Sequence, residues 1–200
     1  MDAETRQRMS RWEACFLEAR TVQELMALDD QIREAEGFIF RAFVRDAWIA
    51  ARFARARNIE KVRLVADSWP DFIVSLDDRE EAFEAVEADV PGRKRDEEYR
   101  KLQKLENRGE STATYHPEEE WLTPSEAADL LAQAASKKVA KGYQPGSGLV
   151  IYLNPTEYGI HHDEIVGIMS ESTAAAKDSF ESVWVLWKGK AYQAWGSEGI

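Results

Sequence analysis

Cysteine is almost missing from this chain: Cys15 is the single one in 200 residues. One thiol excludes an internal disulfide framework and a cysteine-rich zinc site. Cys15 falls among Trp12, Phe16 and Ala19 in a helix-periodic stretch, so it is expected as a small core hydrophobe. Long apolar runs are missing too. None approaches the ~20 residues that span a bilayer, so no membrane contact is expected. The opening "MDAETRQRMSRWEACFLEAR" is charged throughout and has no apolar h-region, which makes the cytoplasm the expected address. There is no glycine-rich phosphate loop, internal repeat or low-complexity tract. Without G-x-S-x-G, or a cysteine with a matching histidine motif, serine-hydrolase and cysteine-protease chemistry has no support. Positive charge is in deficit. The net charge of −11 repels phosphate on average and counts against a strong non-specific nucleic-acid binder.

What is present suffices for a normal core. Hydrophobic residues make up 44%, with seven tryptophans. Two segments are expected: a helical arm over 1–36, either packed on the core or offered to a partner, and one α/β domain over 37–200. The basic residues are unevenly spread. Residues 41–64 hold Arg41, Arg45, Arg52, Arg55, Arg57, Lys61 and Arg63 against Asp46 and Glu60. Residues 93–108 hold seven basic side chains against four acidic ones. Solvated faces of amphipathic helices would show the same pattern.

Periodicity gives the elements. Trp12, Cys15, Phe16, Ala19, Val22, Leu25 and Met26 predict one or two helices over 4–35, with Thr21 as a cap and Glu24 as its capping-box partner. Gly37 breaks the pattern. A stronger helical stripe runs over 38–57, and Asn58 is its stop. "VRLVA" (62–66), "DFIVSL" (71–76) and "AFEAVEADV" (82–90) are expected strands, the last two paired as a hairpin around the "LDDREE" turn. Phe72, Val74 and Leu76 are expected to face the core. A charged helix over 94–108 and a loop over 109–122 follow. "TPSE" starts a helix with Thr123 as N-cap and Glu126 three residues on, running to about Lys141. "LVIYLN" (149–154) lacks polar alternation and is expected as a central strand covered on both faces. A helix over 161–177 leads to "SVWVLWKGKAYQAW", two strands around a tight turn. The fold class is therefore α/β (α+β), a mixed β-sheet flanked by helices with an N-terminal helical segment.

This order places Pro70-Asp71 on one strand and Glu84 on the next, and it resembles the PD-(D/E)XK nuclease-like superfamily. The resemblance covers roughly residues 38–195, as a pattern more than as residue identity. It implies a restriction-endonuclease-like core and Mg²⁺- or Mn²⁺-dependent phosphodiester hydrolysis on DNA or another nucleic acid. Asp71 matches the first acid and Glu84 the second, with Glu87 as a further metal-ligand candidate. Two carboxylates on adjacent strands can hold a hard cation near a scissile phosphate. The chain departs from the motif at its lysine. Two residues after Glu84 stands Val86, and two after Glu87 stands Asp89. Some family members carry the lysine on the next helix. Here the candidate is Lys138, which follows Leu131 and Ala135 on one helix face. Arg93, Lys94 and Arg95 would position phosphates.

Other constellations carry less. "HHDE" (161–164) lacks an i, i+4 histidine pair, so its acids read as partners of a helix N-terminus. His116 stands in the expected loop. Trp184, Trp187, Tyr192 and Trp195 could form a base-stacking or protein-anchoring surface, or a core. Two function classes follow: a metal-dependent nuclease or its catalytically lost relative, and an acidic, non-catalytic interaction protein. The missing motif lysine favours the second class, and the basic clusters favour the first.

Overall fold

Thr21 ends one helix and begins another for a local chemical reason. Its hydroxyl accepts the Glu24 amide while the Glu24 carboxylate takes the Thr21 amide, so two orphan donors are satisfied reciprocally. The same capping box at Thr123 and Glu126, with Pro124 at the first helical position, opens a later helix. The structure is a computed structural model that describes residues 3–37, 42–66, 69–77, 79–90, 93, 95–109, 122–143, 146–155 and 161–196. Its elements are α1 (Ala3–Glu18), α2 (Val22–Glu36), α3 (Ala42–Ala56), β1 (Lys61–Leu64), β2 (Phe72–Leu76), β3 (Arg79–Ala88), α4 (Arg95–Asn107), α5 (Pro124–Val139), β4 (Ser147–Leu153), α6 (His162–Ser172), β5 (Ser182–Trp187) and β6 (Lys190–Trp195).

The six strands form one mixed sheet in chain order. β1–β2, β2–β3 and β5–β6 pair antiparallel, whereas β3–β4 and β4–β5 pair parallel. The two parallel pairs require crossovers, supplied by the segment containing α4 and α5 and by α6. Alternation along each strand divides the apolar residues between two cores. Phe72, Val74, Phe83, Ala85 and Val150 pack with α1, α2 and α3. Val86, Ala88, Leu149, Ile151 and Leu153 pack with α5 and α6. The fold class is the α/β one expected, and "LVIYLN" is covered on both faces.

Several boundaries and burials differ from the sequence reading. The six-residue turn expected at "LDDREE" shrinks, because Leu76 already pairs with Arg79 and β3 starts there. Asp77 adopts a φ of 46°, the left-handed conformation that tight hairpins demand. The helix expected over 161–177 stops at Ser172 and continues as a 3-10 turn over Ala174–Ala176. Cys15 is exposed, not buried. On α1 the inward line runs through Met9, Trp12 and Phe16, and Cys15 stands about 100° from Phe16. None of the four aromatics of "SVWVLWKGKAYQAW" is exposed. Trp187 stacks on His162 with centroids 5.0 Å apart, Trp184 packs edge-on against Phe53, and the Trp195 indole donates to the Ser170 carbonyl. Trp187 is buried and the other three rings are half-buried, each in contact with neighbours of its own chain. His116, Arg41, Phe40 and Lys94 lie outside the described residues.

Candidate active site

Antiparallel pairing of β2 and β3 brings together two acids that are thirteen positions apart in the chain. Asp71 stands just before β2, where its backbone amide donates to the Phe83 carbonyl at 3.0 Å. Its side chain is fixed as well: Oδ2 accepts the Ala85 amide at 2.7 Å. Glu84 lies between those two residues on β3 and faces α5. The third member arrives along α5. Ala127, Leu131, Ala134 and Ala135 bury one stripe of that helix, and Lys138 continues it one turn later, 6% exposed. Its Nζ donates to Glu84 Oε2 at 2.5 Å and to Asp71 Oδ2 at 3.3 Å. The expected trio of Asp71, Glu84 and Lys138 is thus assembled from two strands and a helix.

The electrostatics follow from burial. Glu84 is 1% exposed. Loss of water pushes its carboxyl above the ordinary range, and the nearby negative Asp71 adds to this; the Lys138 ammonium opposes both. For Lys138, burial favours the neutral amine, but Asp71 and Glu84 overcome it and its pKa is raised. Glu84 and Lys138 are the two charged side chains among the buried described residues. Glu84 Oε1 is buried and makes no hydrogen bond of normal geometry among the described residues. An orphaned carboxylate oxygen beside a second carboxylate suits a hard cation. Asp71 and Glu84 are the side chains that could hold Mg²⁺ or Mn²⁺, an ion that commonly keeps several waters beside one or two carboxylates. No third His, Cys, Asp or Glu joins them in a cation-holding group among the described residues.

Glu87 is not brought to the pair. It shares the parity of Phe83 and Ala85 and therefore emerges on the α1–α3 face, where Asn154 Nδ2 donates to it at 2.6 Å. Arg93 is engaged by Glu98 at 2.9 Å and by Asp89 at 3.1 Å. Burial pulls its pKa down, but these two carboxylates more than offset that and raise it. Arg95 begins α4.

Two residues near the trio were not singled out by the sequence reading. The Tyr143 hydroxyl is 3.4 Å from Lys138 Nζ, and the ammonium lies 5.2 Å from the Tyr143 ring centroid. Asp46 on α3 is pushed up by burial, is paired with Arg45 at 2.6 Å, and feels the charges of Asp71 and Lys138. Tyr143 follows α5 in a segment without period, so no pattern marks it. Asp46 sits in a helix whose other face is apolar, where an acid reads as surface. "HHDE" behaves as expected: Asp163 and Glu164 occupy the first turn of α6. No protein-family model matches the chain, and neither a curated protein nor a solved structure matches it.

Proposed function

We propose that Asp71, Glu84 and Lys138 form a metal-assisted phosphodiester-hydrolysing site of the PD-(D/E)XK type. The observation that carries this reading is the meeting of one buried lysine with two carboxylates in a chain that otherwise keeps its described charges out of the core. Asp71 and Glu84 would hold Mg²⁺ or Mn²⁺, which when bound polarises the phosphate and lowers the pKa of water. The Ala85 amide holds Asp71 in position before any cation arrives. Lys138 supplies a fixed positive charge that orients water and offsets charge developing on the phosphate. Tyr143 restrains the ammonium. Lys138 on α5 occupies the role that Val86 leaves open on β3, as in relatives whose lysine has moved to the helix.

A nicking assay tests the reading. Plasmid and single-stranded oligonucleotide are incubated with Mg²⁺ or Mn²⁺ and the native chain, Asp71→Ala or Glu84→Ala. Cleavage by the native chain alone is expected. Equal cleavage by all three would assign it to another site or a contaminant. A second reading, the acidic interaction protein, has one observation behind it. Lys138 already neutralises the two acids, as a purely structural ion triad would. Absence of cleavage by a folded native chain with either ion would put that reading first.

A further inference from the structure

Three buried side-chain nitrogen or oxygen atoms find no hydrogen-bond partner among the described residues: Trp69 Nε1, Glu84 Oε1 and Ser147 Oγ. Two of them belong to one place. β3 and β4 pair in parallel, with Ala82 opposite Ser147 and Glu84 opposite Leu149. Paired residues share a face, so Glu84 and Ser147 both turn toward the layer of α5 and α6, where Leu149 is buried. Strand spacing and two residues of rise put their Cα atoms roughly 8 Å apart. A cleft of about 390 Å³ lies beside them, lined by Lys138 and by Gly146, the residue before Ser147.

Ser147 is 1% exposed. Its backbone is fixed, because the Glu181 amide donates to its carbonyl at 2.9 Å. The residues that follow it on the same face, Leu149, Ile151 and Leu153, are all apolar. A position that asked only for a small core side chain would be served by alanine, without the desolvation of a hydroxyl. A buried hydroxyl that no side chain or backbone group satisfies calls for another partner. The neighbouring carboxylate calls for one too. Lys138 donates to Glu84 Oε2 and Asp71 Oδ2, which leaves Oε1 as the open side of Glu84. A hydroxyl both donates and accepts, so it can hold a water beside a carboxylate and its cation.

We infer that Ser147 is a positioning residue of the cation site: its hydroxyl holds a water of the ion that Asp71 and Glu84 would bind, on the Oε1 side of Glu84. The inference rests on the metal site of the hydrolase reading. It adds to that site a third strand, β4, which the order of Asp71, Glu84 and Lys138 does not include. Mg²⁺ and Mn²⁺ bound by one or two carboxylates keep several waters, so groups that hold those waters help to set the affinity. Without an ion the same hydroxyl is a burden on the fold, since it is buried and unpaired. Affinity and stability therefore pull in opposite directions at this one position.

The test measures Mn²⁺ binding by the full chain, without nucleic acid, from the loss of the free-ion electron paramagnetic resonance signal. Ser147→Ala deletes the hydroxyl. Ser147→Cys nearly keeps the volume and offers a soft sulfur that suits a hard cation and its waters poorly. Each should weaken Mn²⁺ binding about tenfold. In EDTA, the Ser147→Ala chain should melt at or above the native temperature, because an unpaired buried hydroxyl is lost. Native Mn²⁺ affinity in both variants would overturn the inference. So would a Ser147→Ala chain that melts below the native one in EDTA, because the hydroxyl would then serve the fold. Asp71→Asn separates the two levels: if it alone weakens Mn²⁺, the cation site stands and Ser147 leaves it. No saturable Mn²⁺ binding by the native chain removes the cation site and the role of Ser147 together. Mn²⁺ binding that depends on Ser147, in a chain that cuts nothing, keeps the inference and removes the hydrolysis.

Discussion

Lys138 stands where stability and proposed chemistry meet. Its ammonium is the charge that compensates buried Glu84. Lys138→Met keeps much of the side-chain volume and deletes that charge. Near neutral pH it should cost about 3–5 kcal/mol in denaturant unfolding, because a buried carboxylate is left alone. The cost should shrink on acidification. Glu84 has a raised pKa when folded, so it binds its proton more tightly folded than unfolded; protonation at low pH relieves the burial that its charge opposes. A loss that does not change between pH 7 and pH 5 would show that Lys138 acts through packing alone. Lys138 has the same sign of dependence in a higher pH window. Its raised pKa adds stability that is complete below its ordinary value of 10.5 and is lost as pH climbs through the folded value. The same Glu84 shift sets the acid limb of hydrolysis. A protonated Glu84 is a poor cation ligand, so its raised pKa should make Mg²⁺ or Mn²⁺ binding weaken as pH falls, and the ion concentration needed for half-maximal cleavage should rise on acidification. A requirement for the ion that does not change with pH would remove Glu84 from the rate.

At the scale of elements, the helix starts were the most legible features. Thr21–Glu24 and Thr123–Glu126 are local contacts over three residues, so tertiary packing has little opportunity to override them. Thr21→Ala and Thr123→Ala should each cost about 1 kcal/mol, measured by chemical unfolding. Both Glu24 and Glu126 have lowered pKa values, with backbone amides at Arg20 and Thr123 as the leading causes. The stability they add is present above the ordinary 4.5 and is lost as pH falls through the lower folded values. The alanine variants keep the backbone amides and delete only the hydroxyl share of these shifts, so they should lose slightly less than the native chain on acidification. Central strand β4 depends on a different local feature. Gly148 lies opposite Phe83, and a Cβ there would overlap the Phe83 ring and the Ser182 hydroxyl. That ring sits 4.9 Å from Phe53 and 5.4 Å from Phe72, so it cannot step aside. Gly148→Ala should cost about 1–3 kcal/mol by overpacking. An unchanged melting temperature would mean that this aromatic cluster yields more than its packing suggests.

For the whole molecule, the described N-terminal segment is part of the core. Phe16, Val22, Leu25 and Ile32 are buried in the same cluster as Phe53, Phe72 and Phe83. The chain linking α1 to α2 also pairs with β1: the Val62 amide donates to Arg20 and the Val22 amide to Glu60. This covers a sheet edge that would otherwise offer unpaired backbone groups. Burial of those four side chains contributes roughly 6–12 kcal/mol at ~1.5–3 each, comparable to the whole stability of a domain. Deleting residues 1–36 should therefore abolish cooperative unfolding. The intact chain should unfold in one transition, with coincident tryptophan fluorescence and far-UV circular dichroism curves. Two separated transitions, or a truncated chain with native melting behaviour, would make the segment an independent unit.

The sequence by itself determined whatever depends on neighbours within a few residues. Period 3.6 and period 2 located the helices and strands, capping boxes set two helix starts, and Lys188-Gly189 closed the last hairpin with both residues at positive φ. It also marked Asp71 and Glu84 through the resemblance of their order to the PD-(D/E)XK pattern, and Lys138 through one helix stripe, which is local geometry. Tertiary structure alone decided which of the local alternatives was realised. Cys15 lies close enough to the buried stripe of α1 to read as core, and only the packing of α1 against α3 turns it outward. Glu87 looks like a ligand until β3 is placed between two helical layers that receive opposite parities. Arg93 reads as a phosphate contact until Glu98 folds back on it. Tyr143 carries no periodic signal, since it reaches Lys138 through the turn after α5. Non-local contacts depend on how layers stack in space, and spacing along the chain does not encode that distance.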